Sequence, residues 1–361
     1  MSNQTQDAAE GPSPTRDWRE SAVHGLLWLL SWLPLWLLHG IGALIGRMIA
    51  LVPNRQRRNA LINLALCFPH LSAAELIRLR NRFLREFGKT YLEIAPLWLR
   101  PPAQTLGLIQ EVRGGELLRR NDGRGLIVLS PHLGAWELAG LHLAAQGPTA
   151  IFYKPQKYLD DLIAGARRRG GATLAPITAK GIRTLILSLN RGEYVGILPD
   201  QGPRSDKGAA FAPFFGWPAW TMVLVPRLAR KTGARVIFMF AERLPAARGF
   251  RIHCLPAPEG IDSTDDLRAA TALNQGIEQC IAVCPDQYLW SYRRFRDRPP
   301  GTPKVYTGEV SDGAALQWAA RLRQQAATRR LAAGKDPSDP SHAAGRPLPM
   351  PVSKRSDQSR T

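Results

Sequence analysis

Between about residue 125 and residue 284, short β-rich runs alternate with longer stretches of helical periodicity. No other feature constrains the fold as much, because strand–helix units in succession pack as a parallel sheet covered by helices. The candidate strands are Gly125–Ser130, Ala150–Tyr153, Ala172–Ile177, Tyr194–Leu198, Arg235–Ala241 and Phe250–Cys254. The candidate helices are Ala135–Ala145, Tyr158–Arg169, Ala179–Asn190, Trp220–Thr232 and Asp265–Cys284. The expected class is α/β, a mixed and largely parallel sheet flanked by helices. Upstream, Ser72-Ala73-Ala74-Glu75 forms a capping box. It opens a helix on which Leu76, Leu79, Phe83, Phe87, Tyr91 and Ile94 recur at helical spacing, and Pro96 is expected to end it. Hydrophobic residues make up 45% of the chain, enough for a sizeable core over residues 47–299.

Ahead of that body, the 25 residues Ala22–Gly46 carry no Asp, Glu, Lys or Arg. A helix of about 20 apolar residues is long enough to span a bilayer. Trp28, Trp32 and Trp36 are spaced to share one helical face, as aromatic side chains at a membrane interface do. Pro34 interrupts the run, so the segment is expected to be a membrane anchor that either spans or lies in one leaflet. Arg47, Arg55, Arg57 and Arg58 follow it, which favours a cytoplasmic side for the body. Residues 1–21 read as a polar, disordered leader, and residues 300–361 as a basic tail, mostly disordered, with an exposed helix over 314–331. Four scattered cysteines (Cys67, Cys254, Cys280 and Cys284) suit neither a disulfide framework nor a paired zinc site. The chain therefore reads as reduced, intracellular and without a metal.

The formal charge is +19, from 48 Lys and Arg against 29 Asp and Glu. Residues 22–299 hold +16 of it, so the excess belongs to the folded body and not to a tail. An anionic partner follows: a membrane surface, a phosphorylated substrate or an acidic protein. Nucleic acid is disfavoured, since no helix-turn-helix, RNA-recognition or zinc-finger pattern is present.

The strand at Gly125–Ser130 runs into Pro131-His132-Leu133-Gly134-Ala135-Trp136-Glu137. A histidine followed five positions later by a carboxylate is a weak pattern, because roughly half a match is expected by chance in this composition. A second match, His70 with Glu75, is explained by the capping box. The place of His132 is the stronger signal, since catalytic groups of open α/β sheets gather at the carboxyl ends of strands. With His132 in the turn, Glu137 would reach back, fix the imidazole tautomer and leave the other nitrogen as a general base; a satisfied structural histidine is the competing reading. No Ser or Cys sits in a nucleophile elbow. Such a pair suits direct transfer, in which a substrate hydroxyl is deprotonated and attacks an activated carbonyl.

The sequence resembles the lysophospholipid acyltransferase superfamily, and within it the late (lauroyl/myristoyl) acyltransferases of lipid A biosynthesis. The resemblance covers roughly residues 22–299. After the apolar segment it rests on Asn59, Asn63 and Cys67-Phe68-Pro69, then Ser130–Glu137, Tyr153-Lys154-Pro155 and Lys180-Gly181-Ile182-Arg183. Leu198-Pro199-Asp200-Gln201, Phe214-Phe215-Gly216, Thr221, Pro285–Trp290 and Arg293-Arg294-Phe295 complete it. It implies a bacterial inner-membrane enzyme facing the cytoplasm, without a cofactor. That enzyme would move a fatty acyl chain from acyl carrier protein to a 3-hydroxyacyl chain of a lipid A precursor, usually one bearing Kdo. The family motif falls on His132 as base and Glu137 as its orienting carboxylate. Other glycolipid or aminolipid acceptors, and a non-catalytic membrane-surface protein of the same fold, are the alternatives.

The phosphates and carboxylates of such an acceptor suit Lys154, Arg167, Arg168, Arg169, Lys180, Arg183, Arg204 and Lys207, of which a subset is expected to line its site. One of Arg167–Arg169 is favoured. Asp200 is read as either a pocket-edge residue or a turn residue. Phe214–Pro218 walls an acyl tunnel or packs in the core. Arg293-Arg294-Phe295-Arg296 meets phosphate or flanks the domain end. Backbone N–H groups near Gly134 are candidate oxyanion donors.

Overall fold

In the computed structural model the described residues are 18–120, 122–155, 160–203, 208–309 and 311–332. The apolar N-terminal stretch is not one helix. Pro34 has no N–H to give and separates α1 (Trp18–Ser31) from α2 (Leu35–Leu51). Among the described residues, no single helix is long and apolar enough to cross a membrane. Trp28, Trp32, Trp36, Leu29, Leu44 and Leu51 are each more than half exposed on this pair. The other face of α2 lies on α4 (Ala73–Leu99), and the backbones nearly touch there. A Cβ on Gly46 would stand 2.1 Å from the Leu84 carbonyl oxygen, and one on Gly88 2.0 Å from that of Gly42.

Between them, α3 (Arg55–Cys67) is buried from Asn59 to Cys67. The Ser72–Glu75 box caps α4 as expected, but the helix continues through Pro96 to Leu99. A proline one turn from a helix end sacrifices few hydrogen bonds, and Pro96 is buried, so packing of Leu97 and Trp98 carries the last turn. The short α5 (Pro102–Leu106) leads to the sheet.

The strands are β1 (Ile109–Arg113), β2 (Leu126–Leu129), β3 (Thr149–Tyr153), β4 (Ala172–Pro176), β5 (Tyr194–Ile197), β8 (Arg235–Arg243) and β9 (Phe250–Pro256), in the order β1-β9-β8-β2-β5-β3-β4. From β8 to β4 every pairing is parallel, and β9 and β1 run the other way. All four residues of β2 are buried, as expected of a central parallel strand. Helices α6 (Trp136–Ala145), α7 (Asp160–Arg169), α8 (Ala179–Asn190) and α10 (Asp266–Val283) pack on the sheet, and α9 (Leu224–Thr232) packs on α8 and α10.

The expected helix over Trp220–Thr232 is only half right. Trp220–Met222 belongs to β7 (Trp217–Met222), which pairs with β6 (Ala209–Phe214) in a separate antiparallel hairpin. Its two loop residues, Phe215 (φ 48°) and Gly216 (φ 76°), both take positive φ, as a tight primed turn requires. Phe214 is fully buried, and Phe215 packs against Phe68 and Trp290, so this aromatic run is core.

The stretch expected to hold an exposed helix carries α11 (Asp312–Ala332), and this helix is docked. Ala315, Ala319 and Leu322 are buried against α3. Asp312 receives Arg57 and Arg80 at 2.7 Å each, and Arg323 donates to the Ala65 carbonyl. The polar leader through residue 17, the tail from 333, Arg204 and Lys207 lie outside the described residues.

Candidate active site

Strands β2 and β5 are neighbours in register, Leu129 opposite Ile197, so they end side by side. Each is followed by the same kind of tripeptide: Ser130-Pro131-His132 after β2, and Leu198-Pro199-Asp200 after β5. His132 and Asp200 therefore stand at equivalent places beyond adjacent strand ends, and they meet. His132 Nδ1 lies 2.8 Å from Asp200 Oδ1, and the His132 backbone N–H donates to Oδ2 at 3.0 Å. Asp200 is 2% exposed. Burial alone would raise its carboxyl, but the His132 charge and the hydrogen bonds from His132 outweigh it and hold the group below the usual carboxylate range.

A carboxylate at Nδ1 assigns the proton there and leaves the lone pair on Nε2. In this arrangement the Gln201 amide donates to Nε2 at 3.2 Å. The Trp136 ring lies 5.2 Å from the imidazole. The turn itself is clamped. Gly134 N–H donates to Gln287 O at 3.1 Å, Ala135 N–H to Ala241 O at 2.9 Å, and Leu289 N–H to His132 O at 3.0 Å. Gly134 has φ +60°, and a Cβ there would sit 2.0 Å from the Ala241 carbonyl oxygen, so only glycine fits.

The expected His132–Glu137 contact is replaced by a different pairing. Glu137 is in the first turn of α6 and binds the guanidinium of Arg167 at 2.8 and 3.3 Å. Both side chains are mostly buried, and Arg167 also faces the Tyr153 ring at 5.7 Å. The physical reason is geometric: once His132 leads into a clamped turn, Asp200 from the neighbouring strand reaches Nδ1, and Glu137 faces α7 instead. The amides of Gly134 and Ala135 are committed to backbone carbonyls, which removes them as oxyanion donors.

Beside His132 an apolar pocket runs under α6, lined by Ser130, Trp136, Gly140, Ile151, Met239 and Trp98 among others, with Glu137 and Arg167 at its polar part. The hydroxyl of Ser130 and the indole N–H of Trp98 are buried there without a protein partner. Of the basic residues singled out from sequence, the structure brings Arg167 to this pocket. Arg169 donates to the Trp98 carbonyl behind it. Lys154, Arg168, Lys180 and Arg183 are exposed and do not line it. Burial pushes all four cysteine thiols up, and none lines the pocket.

Residues 12–297 match the family described as bacterial lipid A biosynthesis acyltransferase. The chain belongs to that family. Among its curated relatives, the lipid A biosynthesis lauroyltransferase of Escherichia coli (strain K12) is 30% identical over 290 residues, covering 78% of this chain and 92% of that protein. The palmitoleoyltransferase of the same organism is 32% identical over 287 residues, with coverage of 78% and 92%. The myristoyltransferase is 29% identical over 277 residues, with coverage of 73% and 82%. This lipid A acyltransferase is therefore an enzyme of acyl transfer in bacterial lipid A biosynthesis, and membership implies association with a membrane. The match stops at residue 297, so α11 lies beyond it.

Proposed function

We propose that this acyltransferase moves a fatty acyl chain from the thioester of acyl carrier protein to the hydroxyl of a 3-hydroxyacyl chain on a Kdo-bearing, phosphorylated lipid A precursor, with His132 as general base. The observation that carries the mechanism is the Asp200–His132–Gln201 line at the paired strand ends. The acceptor hydroxyl takes the place of the Gln201 amide at Nε2. As its oxygen attacks the thioester carbonyl, its proton passes to Nε2, and Asp200 stabilises the imidazolium. The first amides of α6, those of Trp136 and Glu137, are donors for the resulting oxyanion, since a helix N-terminus favours negative charge. Collapse breaks the C–S bond, and the leaving thiolate takes the proton back from Nε2. The thioester is already activated, so no acyl-enzyme is required. The apolar pocket under α6 suits an alkyl chain. Glu137 acts through Arg167, which it holds at the polar part of that pocket.

The test is transfer by the purified full chain from a lauroyl, myristoyl or palmitoleoyl carrier thioester to the phosphorylated precursor, read by mass spectrometry. A product heavier by one acyl chain is expected with one donor preferred. Free fatty acid with no acylated product, from every donor, would overturn the reading.

The exposed apolar face of α1 and α2 supports a monotopic seat on an anionic inner-membrane leaflet, with the body on the cytoplasmic side. Trp32 and Trp36 are 70% and 66% exposed, and the helices end near Arg55 and Arg58. Trp32→Glu with Trp36→Glu is expected to weaken binding to vesicles containing anionic lipid by at least about tenfold in a flotation assay, with the circular-dichroism spectrum unchanged. Undiminished flotation would place the membrane contact elsewhere.

A further inference from the structure

A second cleft, of ≈ 600 Å³, shares no lining residue with the alkyl pocket. Its walls are the β6–β7 hairpin and the segment after Phe295. Pro203, Phe211, Trp220, Arg296, Asp297 and Arg298 line it, with Pro299–Thr302 along one edge. The route from the base is short: Gln201 touches His132 Nε2, the Gly202 N–H donates to the Tyr292 hydroxyl at 3.3 Å, and Pro203 is already wall. Gly202 packs on Trp220, where a Cβ would stand 3.4 Å from Cδ1.

The two walls are tied together from below by a buried polar knot. Arg294, 4% exposed, donates to the Trp220 carbonyl at 2.6 Å, to Thr221 at 2.9 Å and to Asn274 at 3.0 Å. Asn274, fully buried, donates to the Pro213 carbonyl at 2.9 Å. Of the run Arg293–Arg296, then, Arg294 is structural, and Arg296 faces the cleft. The chemistry of the lining is mixed. Phe211 and Trp220, centroids 4.5 Å apart, offer aromatic faces, and two guanidiniums stand beside them. Arg298 is fixed by its Nε bond to the Thr302 carbonyl at 2.9 Å, while Arg296 holds Asp297 at 2.8 Å. Planar guanidiniums beside aromatic faces suit a phosphate attached to a ring or chain of polarised C–H groups.

We infer that this cleft binds a phosphorylated polar group of a substrate, its phosphate on Arg296 and Arg298 and its carbons against Phe211 and Trp220. The inference rests on the acyl-transfer reading above and adds where the charged part of a substrate sits while its reacting group reaches His132. Two sources carry this chemistry, a sugar phosphate of the acceptor and the phosphate-bearing arm of the carrier. The alkyl chain is assigned to the separate apolar pocket, so the two parts of the substrates would take different sites.

The test uses Arg296→Gln, Arg298→Gln and Phe211→Ala in the full chain, with a lauroyl carrier thioester and the phosphorylated precursor. Each arginine variant is expected to raise one KM by at least about tenfold, the loss of a charged hydrogen bond, with kcat within threefold of the wild type. Phe211→Ala is expected to raise the same KM, and Phe211→Tyr to restore it. A rise in acceptor KM that disappears with a dephosphorylated precursor assigns the sugar phosphate; a rise in donor KM assigns the carrier arm. Unchanged KM values for both substrates, in variants that still transfer, would overturn the inference. Wild-type protein that transfers to no lipid A precursor would instead overturn the acyl-transfer reading itself.

Discussion

Asp200→Asn is expected to lower kcat by about 10²–10⁴-fold, the range over which a histidine base trapped in the wrong tautomer fails. One carboxylate accepts both hydrogen bonds from His132. The His132 backbone N–H reaches Asp200 Oδ2, and the imidazole Nδ1 faces Oδ1. A backbone N–H only donates, so in the asparagine variant it claims the amide oxygen. The NH₂ group then faces Nδ1 and forces that nitrogen to accept. The ring proton moves to Nε2, where the base lone pair was. His132→Ala removes the base altogether and is expected to cost about 10²–10⁴-fold, the ordinary range for general-base help. Initial-rate kinetics on purified protein check both, and both KM values should stay within a few-fold. Turnover by Asp200→Asn within tenfold of the wild type would show that the carboxylate does not set the tautomer. Glu137 is separated from this pair by its own partner. Glu137→Ala and Arg167→Ala should impair transfer alike, and the double variant should be little worse than either, because the two side chains act as one unit.

The parallel sheet was readable because five of its strands are short apolar runs bounded by turn residues and spaced by amphipathic helices. What the sequence concealed has specific causes. The β6–β7 hairpin contains Pro213 and Pro218, which argue against a strand, and its turn is Phe-Gly where Asn-Gly is the usual signal. β1 alternates only weakly, as an edge strand with polar residues does. The apolar N-terminal stretch looked continuous by hydropathy, but Pro34 splits it and α4 covers one of its faces. His132 was legible as a candidate by its place after β2; its contact with Asp200 was not, because Glu137 is close in sequence and Asp200 is not. The signal that pointed to Asp200 was the matching strand-X-Pro-polar pattern at 129–132 and 197–200, which becomes meaningful once β2 and β5 are known to be neighbours. Arg167 is one of three adjacent arginines, and only its pairing with Glu137 distinguishes it.

A second large effect is expected outside the pocket, at a charge network with no sequence signature. Arg243, at the end of β8, has a side chain 1% exposed and binds Glu93 Oε2 at 2.8 Å, Glu86 at 2.9 Å and Thr90 at 2.9 Å, all on α4. His39 on α2 binds the same Glu93 carboxylate at 2.9 Å. One guanidinium thus fastens the sheet to α4 and, through Glu93, to α2. Burial pushes the Glu93 carboxyl up, and the Arg243 charge with its hydrogen bonds more than reverses this, leaving it below the ordinary glutamate range. Arg243→Met is expected to destabilise the fold by about 3–5 kcal/mol, because it strands a buried carboxylate. Arg243→Met with Glu93→Met should recover part of that loss, since an apolar pair of similar volume leaves no charge behind. The pH dependence supplies an independent check. In the wild type the stability due to this depressed carboxyl is present above the ordinary glutamate pKa and is lost as pH falls through the lower folded value. Without Arg243 the carboxyl is raised by burial, so neutral Glu93 becomes the favoured form. The penalty of the variant, measured by chemical unfolding in detergent, should then be largest at neutral pH and shrink as pH falls toward about 4, the ordinary glutamate range. A penalty that stays constant over that range would mean that Arg243 contributes packing alone and that His39 suffices to hold the Glu93 charge.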